Sequence, residues 1–241
     1  MDKFSIDDLT APEDRYRKIA EDVDNLRSRL GLDYDIQICA ATKTVPAETI
    51  NRVVRAGLRR AGENRVNELV EKSPLLDPAL TMDFIGTVQT NKLNKLVGKV
   101  ALIQSVGSLH AVEEIQRLAA KQNIVQDILV EINSGSEGNK SGILPECADE
   151  FFGQIAQFDR VRPLGVMTIG PICDDLKKIS HFFDKTYQIF LDICRKNGHN
   201  INSAICSMGM SESYEIAIQC GANMIRPGSA IFGRRNYAEQ K

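Results

Sequence analysis

Ile36-Gln37-Ile38-Cys39-Ala40-Ala41-Thr42-Lys43-Thr44-Val45-Pro46 is the stretch on which the reading of this chain turns. Its first half is short and apolar apart from Gln37, close to the pattern of a strand buried on both faces. The run stops at a lysine. Pro46 then suits the first turn of a helix, where its missing N–H has no intrahelical partner to lose. A lysine at the carboxyl end of a buried strand sits in partly dehydrated surroundings. Dehydration disfavours the ammonium form, and a neutral amine attacks an aldehyde to give a Schiff base. Most strand-end lysines are simply solvated, so Lys43 draws its meaning from its neighbours.

Outward from this stretch, strand-like and helix-like segments alternate. The strand candidates are Ile36–Thr42, Leu58–Ala61, Met82–Gly86, Ala101–Val106, Asp127–Ile132, Leu164–Ile169, Ala204–Ser207 and Met224–Arg226. Helical stretches between them include Ala47–Ala56, Glu63–Lys72, Leu109–Lys121, Glu146–Phe158, Leu176–Asn197 and Ser213–Gln219. A further helix over Ala11–Leu30 precedes them, with Ile19, Val23, Leu26 and Leu30 on one face and Gly31 as its stop. Eight strands, each followed by a helix, predict an α/β chain of the (β/α)8 TIM-barrel type with an extra N-terminal helix. It reads as a single domain over residues 1–241, with 1–34 as the helix and lead-in. An open doubly wound sheet is the alternative, but the early G-x-G-x-x-G of its dinucleotide-binding version is absent.

The bulk numbers agree. A chain of 241 residues, 43% hydrophobic, closes a sizeable core. A net charge of −2 gives no electrostatic footprint for nucleic acid or an anionic membrane. The N-terminus, Met1 to Asp8, is acidic and lacks the apolar core of a secretory signal. No apolar run is long enough to span a bilayer. The six cysteines form no Cys-x-x-Cys pair, and His110, His181 and His199 are scattered away from them. A zinc or redox site is not expected, and the chain reads as a reduced, cytoplasmic protein.

Strand after strand ends in a small or polar cluster. These are Thr42-Lys43, Gly62-Glu63-Asn64, Gly86-Thr87, Gln104-Ser105, Asn133-Ser134-Gly135, Met167-Thr168, Ser207-Met208-Gly209-Met210-Ser211 and Arg226-Pro227-Gly228-Ser229. In a parallel barrel these ends share one rim, and that rim carries the site. The last two clusters follow strands seven and eight, where such barrels often bind phosphate. Gly228-Ser229 precedes Ala230-Ile231-Phe232-Gly233, a short helix whose first N–H groups could face an anion. Serine and glycine also turn chains and cap helices without any ligand. Arg226 needs an acceptor, which could be a carboxylate, a phosphate, a ring nitrogen or a structural partner. Asn64 could orient a ligand or cap the following helix. Asn91-Lys92 and Asn139-Lys140 fall near the rim and could draw in an anion or simply be solvated.

Lysine, phosphate donors and arginine on one rim suggest pyridoxal 5′-phosphate (PLP), with Lys43 holding the aldehyde as an aldimine. An arginine donates to an unprotonated ring nitrogen, which makes the ring a weaker electron sink than one paired with a carboxylate.

These segments resemble the pyridoxal-phosphate homeostasis protein family, the YggS/PROSC group. The matching runs are Ala41-Thr42-Lys43-Thr44, Gly62-Glu63-Asn64-Arg65-Val66-Asn67-Glu68, Phe84-Ile85-Gly86-Thr87-Val88-Gln89-Thr90-Asn91-Lys92 and Ser105-Val106. They continue with Val130-Glu131-Ile132-Asn133, Lys140-Ser141-Gly142, Gly165-Val166-Met167-Thr168-Ile169, Ser207-Met208-Gly209-Met210-Ser211 and Arg226 to Gly233. The resemblance implies a barrel like the N-terminal domain of alanine racemase. It implies Lys43 as the PLP-bearing lysine, Ser207, Gly228 and Ser229 in the phosphate site, Arg226 near the pyridine nitrogen, and Asn64 beside the cofactor. It further implies buffering or delivery of PLP, possible transfer to PLP-requiring apo-enzymes, and no defined turnover; a monomer is the default expectation. Two residues depart from the family pattern. Asp83 stands where histidine is common, and Ser213 where aspartate is common. A PLP-dependent racemase and a PLP-independent Schiff-base aldolase acting on a phosphorylated substrate are the rival readings.

Overall fold

The first helix shows how the sequence builds its elements. In α1 (Pro12–Leu30), Tyr16, Ile19, Val23 and Leu26 recur at three- and four-residue spacing and are buried. Pro12 occupies the first turn, Glu13 and Asp14 face the positive end of the helix, and Arg27 and Arg29 its negative end. Gly31 closes the helix in the left-handed conformation, at φ 64°. The computed structural model describes residues 11–135, 141–171, 175–196 and 204–233. Asn139-Lys140, Cys173 and His199 lie outside the described residues.

Eight strands follow: β1 (Gln37–Ala41), β2 (Arg60–Glu63), β3 (Thr81–Phe84), β4 (Leu102–Val106), β5 (Gln126–Glu131), β6 (Val161–Met167), β7 (Ile205–Ser207) and β8 (Met224–Ile225). They form a closed barrel in chain order. Every pairing is parallel, and β8 returns to β1 through Gln37↔Met224 and Ile38↔Ile225. The expected (β/α)8 barrel with its additional N-terminal helix is therefore present. The outer helices are α2 (Ala47–Arg55), α3 (Val66–Lys72), α4 (Leu109–Gln122), α5 (Ala148–Ile155), α6 (Leu176–Lys196), α7 (Tyr214–Gln219) and α8 (Ser229–Phe232). α1 packs against α2, α7 and α8.

Two local expectations change. The connection from β3 to β4 carries a 3₁₀ helix, Thr90–Lys95, rather than an α-helix. Leu93 within it and Leu96 at its C-cap are buried and three apart, the period of a 3₁₀ turn. β2 starts two residues later than the apolar run suggests. Leu58 is spent on the core outside the strand, while Gly62 and Glu63 extend the pairing to β3.

The core has two compartments. Between strands and helices lies a large apolar layer that includes Ala40, Ala61, Phe84, Ile103, Ile128, Val130, Val166, Cys206 and Ile225. Inside the barrel, Cys39, Ile85, Leu102, Leu129, Met167, Ile205 and Met224 form a second cluster, with Ala41 packed on it. Residues two apart on a strand share a face. The inward residue after Ile205 is thus Ser207, after Met224 it is Arg226, and after Leu129 it is Glu131. The apolar plug is roofed by polar side chains on the carboxyl side of the strands. No helix among the described residues is long and apolar enough to cross a membrane.

Candidate functional site

A chain of hydrogen bonds runs through the barrel interior. Arg60 Nη1 donates to both carboxylate oxygens of Asp83, at 2.7 and 3.0 Å. Gln104 Nε2 donates to Asp83 Oδ2 at 2.7 Å. Ser207 Oγ donates to Gln104 Oε1 at 2.7 Å and accepts from Arg226 Nη1 at 2.6 Å. Arg226 Nη2 donates to the Thr168 carbonyl at 2.7 Å. Asp83, Gln104 and Ser207 have no solvent exposure, and Arg226 is buried. Burial outweighs Arg60 and the other donors at Asp83 and holds its carboxyl above the ordinary carboxylate value. Burial pushes the Arg226 guanidinium down to about 10, so it stays charged at neutral pH. The aspartate that breaks the family pattern thus has a structural account: it is the partner of Arg60. Ser213, the other departure, sits at the N-cap of α7, and its hydroxyl accepts from the Met210 N–H.

Arg226 lies at the junction of the strand ends that carry the other expected residues. Lys43 is half-buried in the turn that follows β1. Asn64 is half-buried after β2. Gly228 is the N-cap of α8, and Ser229 is its exposed first residue. These elements are neighbours in the ring, β7 to β8 to β1 to β2. Backbone bonds continue the contact beyond the strands. Arg226 N–H donates to the Gly209 carbonyl, Ala41 N–H to Pro227, and Thr42 N–H to Gly62. A Cβ built on Gly228 would come within 3.3 Å of Ala41 Cβ and 3.4 Å of its carbonyl oxygen, so the α8 turn lies tight against β1.

One expected residue lies beneath the rim surface. The Ser207 hydroxyl was expected at an anion, yet it is enclosed and committed to Arg226 and Gln104. The hydroxyl that faces the α8 turn is that of Ser211, which accepts from the N–H groups of Gly228 and Ala230 at 3.0 and 3.1 Å. Asn64 does not cap α3. The N-cap of that helix is Arg65, with no side-chain cap; the Glu63 carboxylate instead orders the turn before the helix, accepting from the N–H groups of Asn64 and Arg65 at 2.8 and 3.2 Å. Glu131 also reaches the rim. Its Oε1 accepts from Ser141 Oγ at 2.8 Å, and burial raises its pKa against the opposing pull of Ser141 and Arg226. Gly86 is required by packing, because a Cβ there would lie 2.0 Å from the Asn64 carbonyl oxygen.

Residues 15–236 match the family described as alanine racemase, N-terminal domain. A curated relative from Aquifex aeolicus, a pyridoxal phosphate homeostasis protein, is 38% identical over 93% of this chain and 98% of its own length. The chain belongs to the pyridoxal phosphate homeostasis protein family. Among solved structures of similar proteins, PipY of Synechococcus elongatus PCC7942, with PLP bound, superposes with a TM-score of 0.77 at 29% identity. That match covers 89% of this chain and all of PipY. Alanine racemase from Clostridium difficile 630 shares the fold, with a TM-score of 0.73 at 19% identity over 93% of this chain and 61% of the racemase chain. In this member of the homeostasis family, Lys43, Asn64, Arg226, Gly228 and Ser229 follow neighbouring strands of one rim, and Ser211 bonds the α8 turn.

Proposed function

We propose that this protein binds pyridoxal 5′-phosphate reversibly and serves its homeostasis, by buffering the cofactor or delivering it to apo-enzymes, as a monomer and without catalytic turnover. The observation that carries the reading is the shared edge: the Lys43 turn after β1 lies beside the Arg226-Pro227-Gly228 turn after β8. Lys43 is two residues beyond Ala41, which packs on the interior cluster, and is the amine placed to hold the aldehyde. Arg226, charged and fixed by Ser207 and Thr168, donates to the ring nitrogen. Gly228, Ser229 and the Ser211 hydroxyl, itself fixed by the Gly228 and Ala230 N–H groups, hold the phosphate at the α8 turn. Asn64 lies beside the cofactor. Family membership and the PLP seen in PipY support this arrangement.

When bound, PLP supplies an electrophilic aldehyde and a ring that accepts electrons, more weakly when an arginine faces its nitrogen. That pairing and the names of the curated relatives support a carrier rather than an enzyme. Borohydride reduction of the PLP-loaded protein, followed by peptide mapping, should place a pyridoxyl group on Lys43, and Lys43→Ala should remove it. Label chiefly on Lys92 or Lys140 sinks the assignment. A panel of L- and D-amino acids tests the non-catalytic part. Turnover at about 1 s⁻¹ or more, lost in Lys43→Ala, overturns it.

A further inference from the structure

Thr44, the residue after Lys43, has φ 65°. Asn123 is the other non-glycine residue with positive φ among the described residues, and it ends α4, a place that suits asparagine. A β-branched threonine in the left-handed region is an outlier, and such a conformation persists only where its surroundings over-determine it. Here they do. The Thr44 N–H donates to Glu68 Oε2 at 2.7 Å. On the other side of Lys43, the Thr42 carbonyl accepts from Lys72 Nζ at 2.9 Å. The same ammonium donates to Glu63 Oε2 at 2.8 Å and to Glu68 Oε2 at 2.7 Å. Thr42 Oγ1 also donates to Glu63 Oε2, at 3.2 Å. The Glu63 side chain has no exposure, and those of Lys72 and Glu68 have 12% and 18%.

An ammonium has three N–H donors, and Lys72 has a partner for each. Two lysines therefore flank one turn with different fates. Lys43 is attached to the turn, while Lys72 reaches it from the last residue of α3 and grips its backbone on both sides, directly at Thr42 and through Glu68 at Thr44. Burial pushes the Glu68 carboxyl up, but Lys72, the Thr44 N–H and Arg65 outweigh it and hold the carboxyl below its ordinary value, so it stays an ionised acceptor.

We infer that Lys72, with Glu63 and Glu68, is a positioning device that holds the Lys43 turn in its strained conformation and so aims the Lys43 amine at the cofactor aldehyde, without itself reacting. The inference rests on the PLP reading above, and its test separates the two. Peptide mapping of borohydride-reduced wild type comes first, and label away from Lys43 fails the parent reading before Lys72 is touched. With Lys43 labelled, wild type, Lys72→Met and Glu68→Gln are compared for binding of PLP and of pyridoxine 5′-phosphate. The second ligand has the same ring and phosphate but no aldehyde for Lys43 to meet.

Misaiming a reacting group by an ångström can cost up to about 10²-fold, so Lys72→Met should weaken PLP by about tenfold or more. Pyridoxine 5′-phosphate should change by less than about twofold, well under 1 kcal/mol. Glu68→Gln should show the same selectivity with a smaller loss. If Lys72→Met does not fold, Glu68→Gln decides by the same ratio. Equal losses for both ligands, unchanged PLP binding in a folded variant, or label on Lys72 in wild type overturns the inference.

Discussion

Arg226 Nη1 lies 2.6 Å from Ser207 Oγ, a hydroxyl with no access to solvent, so a neutral side chain fixes the charged one. Ser207→Ala strands Arg226 Nη1 and Gln104 Oε1 together. A buried polar group left without its partner costs about 1–3 kcal/mol, more where it is charged. We expect a loss of stability of at least that size in denaturant titration. PLP and pyridoxal should weaken by similar factors, because on the proposed site both present the ring to Arg226. A selective loss of PLP would instead put Ser207 at the phosphate.

Gly228 gives the opposite signature. A side chain there presses on Ala41, and an aspartate also adds a negative charge at the α8 turn. Gly228→Asp should weaken PLP by about tenfold or more while pyridoxal, which lacks the phosphate, loses much less. Titration of both ligands against the same folded variant settles the matter. Equal losses would move the phosphate to another part of the rim.

The Arg60–Asp83 pair is enclosed at Asp83 and about three-quarters covered at Arg60. Removing one member of a buried pair costs about 3–5 kcal/mol, whereas an apolar replacement of both is often neutral or better. Arg60→Met should therefore destabilise strongly, and Arg60→Met with Asp83→Leu should recover part of the loss. Gln104 Nε2 would lose its carboxylate acceptor in the double variant and keep only the weaker sulfur acceptors of Met224 and Cys39, which keeps recovery incomplete. Additive losses in a double-mutant cycle would show that the pair is not coupled.

Glu131 gives stability a pH dependence of known sign. Its carboxyl pKa is raised in the folded protein, chiefly by burial. The folded state then binds the proton more tightly than the unfolded state, so ionisation costs stability. That cost is absent below the ordinary value of 4.5, grows as pH rises through the window up to the raised value, and is complete above it. Glu131→Gln keeps the oxygen that accepts from Ser141 and removes the charge. The variant should gain stability over wild type at neutral pH, and the gain should shrink on acidification through that window. A pH-independent difference in denaturation midpoint would mean that another group carries the effect.

The barrel was legible because its strands are buried on both faces and leave short apolar runs, each ending in a polar cluster. Strand parity was equally legible but went unused: Ser207 is two residues from Ile205 and shares its inward face. The strand candidate Ala204–Ser207 already ends on Ser207, but grouping Ser207 with Met208 to Ser211 as one strand-end cluster passes over its inward face. The Lys72 grip was harder to see. Glu68 and Lys72 show the four-residue spacing of a helical ion pair, which usually marks a solvated face. That these two side chains meet Thr42 and Thr44 follows only from the parallel register of β1 and β2. The Asp83–Arg60 contact likewise needs the β2–β3 register, which no local pattern prints.

The seam between β1 and β8 has a consequence for the timing of biosynthesis. Lys43 follows the first strand to be made, and Arg226 and Gly228 follow the last. A ribosome that has released β1 but still holds β8 in its exit tunnel displays the lysine without the cradle proposed for it. On the proposed site the nascent chain could meet PLP, but only the finished ring would keep it. A ligand held across that seam is a clasp on the two extremes of the fold, and mass action makes the closed ring more durable as the free cofactor concentration rises.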